Sequence, residues 1–413
     1  MIKVEELFIA PTATVLETLR KLDETGQRIL FIAPEGHLKA VITDGDIRKF
    51  FLRGGTPDQT VDHAANYHPL SVSVSERGKA RSILQEHCID ALPVLNKRGI
   101  ITDIVFAHGL DLDNRKQVDI PVVMMAGGLG TRLYPYTKIL PKPLIPFFHE
   151  PLILHSMRRC YDCGIREFII NTHHLAAAWD KVFPEHSWNG CPVHFSHEPV
   201  LLDSGGGVKK IEPLASAEEP LLVVNGDMAA TFDLGRLLEE HLSRRPPVTL
   251  ALRTSGDKKN VGFDFSSGLV TDMRHALGRD PGSCQFTGAY CMEPEIFRRI
   301  PSGEAVSIIP LFLDYIREGC LRGILADDGL WMDMGTPEAY LQAHLDFPSP
   351  VPRIHPQARV SPRAFVDSHC VIGPGAAVED GCRLQGCVVW PGVCVPSGTC
   401  AERRIFYCSP TDY

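Results

Sequence analysis

The chain has 413 residues, of which 44% are hydrophobic and 22% charged, and a formal net charge of −8. That composition belongs to a folded globular protein and excludes a disordered or fibrous one; at about 150 residues per domain, two or three domains are expected. The longest apolar stretches, such as residues 122–126, fall far short of the ~20 residues that span a bilayer. The acidic start, with Glu5 and Glu6, lacks the apolar core of a secretory signal. No basic block offsets the acidic balance, so neither a membrane nor nucleic acid is an expected partner. The odd count of 13 cysteines reads as reduced thiols in a cytoplasmic protein. Cys160 and Cys163 have the spacing of a zinc half-site, but no matching second pair follows, and they are expected to pack on one helix face.

Residues 1–115 contain an internal repeat. Each copy reads as a helix (Val15, Leu16, Leu19, Leu22; then Ala80, Ile83, Leu84), a strand (ILFI; ALPVL), a Gly-containing turn and a second strand (AVIT; GIIT) leading to a helix. This pattern resembles a tandem pair of CBS repeats, a regulatory module of α/β type. In that family a Gly-hydrophobic-x-Thr-x-x-Asp run holds the ribose of a nucleotide. The first copy keeps Thr43 and Asp46, with Lys39 or Ala40 in place of the glycine; the second keeps Gly99 and Thr102 but has Val105 at the acidic position. The resemblance therefore implies an adenine nucleotide at Thr43 and Asp46. Read from the residues alone, Asp44, Gly45 and Asp46 are equally a turn and helix cap.

After a link at residues 116–121, a second zone over 119–346 alternates β-rich runs (VVMMA, EFIINT, CPVHFS, LLVVNGD, VTLALR) with helical stretches. That alternation predicts a mixed sheet flanked by helices, with ligands at the carboxyl ends of its strands. Directly after the first run comes MAGGLGTRLYPYTKILPKPLIPF, residues 125–147. Gly127, Gly128 and Gly130 let backbone N–H groups approach a phosphate chain with no Cβ in the way, and Arg132 offers a planar fork for phosphate oxygens. Lys142 adds a compact charge stiffened by Pro141 and Pro143. No Gly-Lys-Ser/Thr follows, so this is not a Walker loop; Thr131 and Arg132 stand where the Rossmann fingerprint continues to its third glycine.

Further along, LLDSGGGVKKI places Gly205, Gly206 and Gly207 before a predicted helix. LLVVNGDM ends a buried strand at Asp227, and WMDMGTPEAYLQAH presents Asp333 ahead of Gly335, Thr336 and Pro337. A carboxylate at a strand's carboxyl end beside a triphosphate suits Mg²⁺. His173 and His174 end a strand facing the same region, where packing is expected more than substrate contact.

From 350 to 405 the period is six. Ile354, Val360, Val366, Ile372, Val378 and Leu384 share one register, with small residues four positions after each of the first five. Neither a helix nor a flat strand has that period; a three-sided parallel β-helix of about 18 residues per coil does. Two and a half coils are expected, with a shift by one near Trp390, where Val389 and Val395 take over. The stack is too short, and His355 and His369 too poorly supported, for an acyltransferase, so oligomerisation is the expected use.

The glycines, Thr-Arg and Pro-Lys-Pro of residues 125–147 resemble the signature of sugar-1-phosphate nucleotidyltransferases, and the later motifs follow in that family's order. The resemblance implies a Rossmann-like mixed-sheet core between the CBS pair and a short left-handed parallel β-helix. It implies Ala126, Gly127, Gly128, Gly130, Thr131, Gly205 and Gly206 for the nucleotide, and Gly262, Thr287 and Gly288 for the sugar. Arg132, Lys142 and Asp227 would carry the catalysis, and Asp227 and Asp333 would hold Mg²⁺. The expected partners are an NTP and a sugar 1-phosphate, in a homo-oligomer. Many members use a Glu-Lys-Pro lysine on the acceptor phosphate; this chain has TDMRHALGRD instead, leaving Arg274 or Arg279 as substitutes. The CBS-plus-core and core-plus-β-helix arrangements resemble guanylyltransferases. The HHL and SGGGV segments lean towards uridylyltransferases of N-acetylmuramate 1-phosphate. GTP is favoured over UTP, and a catalytically silent regulatory subunit is the rival from another class.

Overall fold

A computed structural model describes residues 4–25, 29–74, 76, 80–87, 89–106, 118–256, 258–279, 282–349 and 351–407. They fall into two units, Met1–Lys116 and Gln117–Tyr413. No helix among the described residues is long and apolar enough to cross a membrane.

In the first unit, helix Val15–Thr25 starts where Thr14 and Glu17 bond each other's backbone N–H, a reciprocal cap that satisfies two orphan donors. Strands Ile29–Ile32 and Ala40–Thr43 pair antiparallel and lead into helix Asp44–Leu52. The second copy repeats the order with helix Ala80–His87 and the antiparallel strands Ala91–Leu95 and Ile101–Phe106; the position of the helix expected after them lies outside the described residues, as does part of the link. The copies bury each other: Leu30, Ile42 and Ile47 of the first share a core with Ile101, Ile104 and Phe106 of the second.

The second unit is built on a ten-stranded mixed sheet. The five apolar runs form its strands Val122–Met125, Phe168–Thr172, Cys191–His197, Leu221–Asn225 and Val248–Arg253. Their near-unbroken hydrophobicity reflects burial on both faces, against one cluster with Met157 and Trp179 and another with Phe312 and Tyr315. The first four of these strands run parallel; Gln285–Met292 lies antiparallel between Leu221–Asn225 and Val248–Arg253. Helix Leu152–Asp162 buries Cys160, while Cys163 stands just beyond its end, half-buried against the same core.

Beyond the sheet, strands Met228–Ala230 and Trp331–Asp333 pair as an antiparallel ribbon that puts Met228 opposite Asp333. Thr336 caps the helix Pro337–Asp346 that follows, its hydroxyl accepting from Ala339 N at 3.2 Å. Nine short strands between Arg359 and Phe406 then stack as three parallel three-stranded sheets, one strand of each per turn of chain. These make three tiers, where two and a half coils were expected. Arg359 pairs with Ala377 and Phe365 with Arg383, but Val371 pairs with Val388, so one residue drops out before Val389. Ile372, Val378 and Leu384 of the six-residue register are buried together with the small residues Cys370, Ala376 and Cys382, whereas Ile354, at the open end of the stack, is 40% exposed.

This coil is not a separate module. One apolar cluster joins its Val371, Leu384 and Trp390 to Tyr340 of helix Pro337–Asp346 and to Leu133, Ile145 and Phe147 of the segment after the glycine loop. Tyr136 sits edge-on to Tyr407 with ring centroids 4.8 Å apart and 5.8 Å from Trp390. Burial pushes the Tyr136 phenol above its usual range. Trp390 Nε1 donates to the Tyr340 hydroxyl, which donates in turn to Pro146 O.

Candidate active site

The parallel strands Val122–Met125, Phe168–Thr172 and Leu221–Asn225 end on one edge of the sheet, and the glycine-rich segment leaves from there. Ala126 N donates to Asn171 O at 3.0 Å, tying the root of the loop to the neighbouring strand. Gly127 passes so close to Asn171 that a Cβ would lie 2.8 Å from Oδ1, while the same position at Gly128 is open. Gly130 has φ +63°, which favours glycine, and its carbonyl accepts from Thr137 Oγ1 at 2.8 Å. Thr131 and Arg132 follow, exposed, in a single 3₁₀ turn.

Lys142 returns beneath this loop and is 5% exposed. Its ammonium lies 2.7 Å from Asp227 Oδ2 and 3.4 Å from Asp333 Oδ1. The pairing in the ribbon explains the meeting: Asp227 precedes Met228, which is opposite Asp333, so two carboxylates from distant parts of the chain become neighbours. Their mutual repulsion is offset by the lysine between them. The glycine loop, Lys142, Asp227 and Asp333 are thus brought together. Arg132 lines a cavity of about 400 Å³ that also reaches Asp333, Arg253, Lys258, Gln285 and Trp331.

The other expected residues have varied surroundings. Gly205, Gly206 and Gly207 do not precede a helix but sit inside Asp203–Lys210. The N–H groups of Gly205 and Gly206 both donate to Val306 O, at 2.8 and 3.0 Å, so the glycines admit the backbone of residues 304–307. Thr287 is buried, with its hydroxyl donating to Ala251 O; its carbonyl accepts from Trp331 Nε1 at 2.8 Å. Gly288 packs on Asn225, and Gly262 is buried in an edge strand opposite Asp272. Arg274 lines a second cavity of about 180 Å³ with Lys258 and Phe286; Arg279 gives its backbone N–H to Asp272. His173 and His174 donate to backbone carbonyls, of Glu198 at 2.7 Å and Thr137 at 3.1 Å.

Sequence reasoning missed Glu198 and Asn171, both buried beside Gly127. Asn171 Nδ2 donates to Glu198 Oε1 at 2.7 Å and Leu202 N to Oε2 at 2.7 Å. The available signal was position, since each stands at the carboxyl end of a predicted strand. Arg253 was missed too, although it ends the VTLALR run; its guanidinium bonds Gly329 O and Ser255 Oγ, with no acidic partner among the described residues.

The donor set fits a substrate-bridged divalent cation rather than a closed cage. No group of three or more His, Cys, Asp or Glu suited to a metal occurs among the described residues. Asp227 and Asp333 are hard oxygen donors, 34% and 42% exposed, and a cationic group already bridges them. Mg²⁺ is typically held by one or two carboxylates with substrate phosphates completing its shell.

The nucleotidyl transferase family model matches residues 121–349, and the chain belongs to that family. Among its relatives is a mannose-1-phosphate guanylyltransferase of Mycobacterium tuberculosis, 33% identical over 305 residues that cover 70% of this chain and 84% of that protein. Mannose-1-phosphate guanylyltransferase 1 of Arabidopsis thaliana is 26% identical, covering 68% and 84%. The catalytic subunit beta of the Drosophila melanogaster enzyme is 25% identical, covering 63% and 71%.

Proposed function

We propose that this protein joins a nucleoside triphosphate to a sugar 1-phosphate, releasing pyrophosphate, with GTP and mannose 1-phosphate as the favoured pair. The observation that carries the reading is Lys142 held between Asp227 and Asp333 under the glycine loop. The relatives named above support the choice of substrates. Attack of the acceptor phosphate oxygen on the α-phosphorus needs no general base, because that oxygen is already ionised; it needs alignment and charge neutralisation. The loop at Gly127–Gly130 lets the triphosphate lie against the backbone. Arg132 meets its outer oxygens, and Lys142 shifts its contact from carboxylate to phosphate. Asp227 and Asp333 would hold Mg²⁺, which when bound supplies positive charge beside the reacting phosphates. Arg253, Lys258 and Arg274, which line the two cavities, would receive the acceptor.

The N-terminal unit is proposed as a CBS pair taking an adenine nucleotide. The ligand would share Thr43 and Asp46 with the start of helix Asp44–Leu52, where Thr43 Oγ1 already donates to Asp46 Oδ2 at 2.6 Å. The C-terminal stack is proposed as a hexapeptide β-helix serving a cytoplasmic oligomer. A matrix of NTPs against sugar 1-phosphates, read by pyrophosphate release with and without AMP, tests the whole reading. The highest rate should fall at GTP with mannose 1-phosphate. Dominance of UTP would favour the uridylyltransferase alternative, and background rates for every pair the silent regulatory subunit.

A further inference from the structure

Arg132 and Asp333 line the same cavity, yet the guanidinium makes no hydrogen bond or ion pair among the described residues. Asp333 already faces the Lys142 ammonium, and the close neighbour of the Arg132 guanidinium is Gly335. A Cβ there would lie 2.8 Å from Arg132 Nη2, 3.0 Å from Cζ and 3.0 Å from Nη1. These distances put that position out of the guanidinium plane, above its Nη1–Nη2 end, and not in line with its N–H bonds. The glycine itself cannot wander, since it stands between the ribbon strand ending at Asp333 and the helix capped by Thr336.

We propose that Gly335 is a positioning residue for Arg132: its bare Cα is the floor on which the guanidinium lies, with its N–H edge free for phosphate oxygens. The inference rests on the reading that Arg132 meets the triphosphate. It gives one short segment two tasks, presenting the carboxylate at 333 and seating the arginine. Gly335 has no left-handed φ, so alanine fits its backbone, and the atoms in the way are the end of a flexible side chain. The fold should therefore tolerate Gly335→Ala while the arginine is displaced.

The test compares the full-length protein with Gly335→Ala, Arg132→Ala and the double variant, measuring steady-state kinetics with GTP and mannose 1-phosphate, calorimetric GTP binding and Tm. Gly335→Ala should raise KM and Kd for GTP roughly tenfold and leave the acceptor KM and the Tm unchanged. In the double variant it should add nothing to the Arg132→Ala defect. If Arg132→Ala weakens GTP binding and Gly335→Ala does not, the floor is wrong and the reading of Arg132 stands. If Arg132→Ala is silent, the reading itself fails. Additive losses, or a large drop in Tm for Gly335→Ala, would make the glycine's role independent of the arginine and overturn the proposal.

Discussion

Two groups of polar residues in this molecule look alike on paper and differ in what assembles them. Thr43 and Asp46 are three residues apart and bond each other as the reciprocal cap of helix Asp44–Leu52, an arrangement local sequence produces wherever that helix forms. Lys142, Asp227 and Asp333 span 191 residues, and only the ribbon of Met228–Ala230 with Trp331–Asp333 brings them within bonding distance. The first group completes its hydrogen bonds by starting a helix. The second sets two carboxylates side by side, which local structure gains nothing from and which a lysine must offset. Polar groups gathered from a distance at an electrostatic cost are those to associate with chemistry.

The comparison can be broken at several points. Asp227→Asn should lower turnover at least about a thousandfold with little change in Tm, since the residue is half-exposed and serves charge rather than packing. Near-normal pyrophosphate release in that variant would leave the distant group no more functional than the local one.

A second test concerns how the segment after the glycine loop is held. His344 is buried, with Nδ1 donating to Tyr340 O and Nε2 accepting from Phe148 N, and burial pushes its pKa down to about 3. The folded protein thus favours neutral His344 while the unfolded chain binds the proton from about pH 6.5 downwards. Its contribution is complete above that pH and should fall by about 1.4 kcal/mol per pH unit as pH drops towards 3. Denaturant titrations of the parent and His344→Gln should converge across that window; parallel curves would remove histidine from the account.

Tyr407→Ala, which removes the edge contact with Tyr136, should cost about 1–2 kcal/mol, and Tyr407→Phe almost nothing. An equal loss in both variants would assign the effect to the hydroxyl instead of the ring. The smallest effect belongs to the local pair: Thr43→Ala should destabilise the N-terminal unit by about 1 kcal/mol, seen as a Tm shift, with basal turnover unchanged. If the same substitution also abolished AMP binding by calorimetry, Thr43 would be reading a ligand as well as capping a helix, and the two groups would differ less than their geometry suggests.

Much of the sheet was legible because its strands are continuous apolar runs, and the coil because a period of six has no other ready explanation. The misreadings have local causes. Gly205–Gly207 looked like a helix entry because glycine disfavours helix interiors, but here close packing against residues 304–307 outweighs propensity. Nothing in FTGAYCM reveals that the Thr287 hydroxyl donates to Ala251 O on the neighbouring strand. Glu198 and Arg253 belong to no motif; a strand's end and a fold around it give them their place.

The sequence alone determined the classes of residue available: a phosphate-loop composition, two lone aspartates, a repeat with a cap and a six-residue period. These follow from short-range chemistry, in which each residue's neighbours are its context. Which of those residues meet, and which are consumed by the fold, was decided by tertiary structure. Lys142 reaches two carboxylates only because strand pairing cancels most of the chain length between them, and Arg132 meets Gly335 only because the fold returns the far end of the domain to the glycine loop.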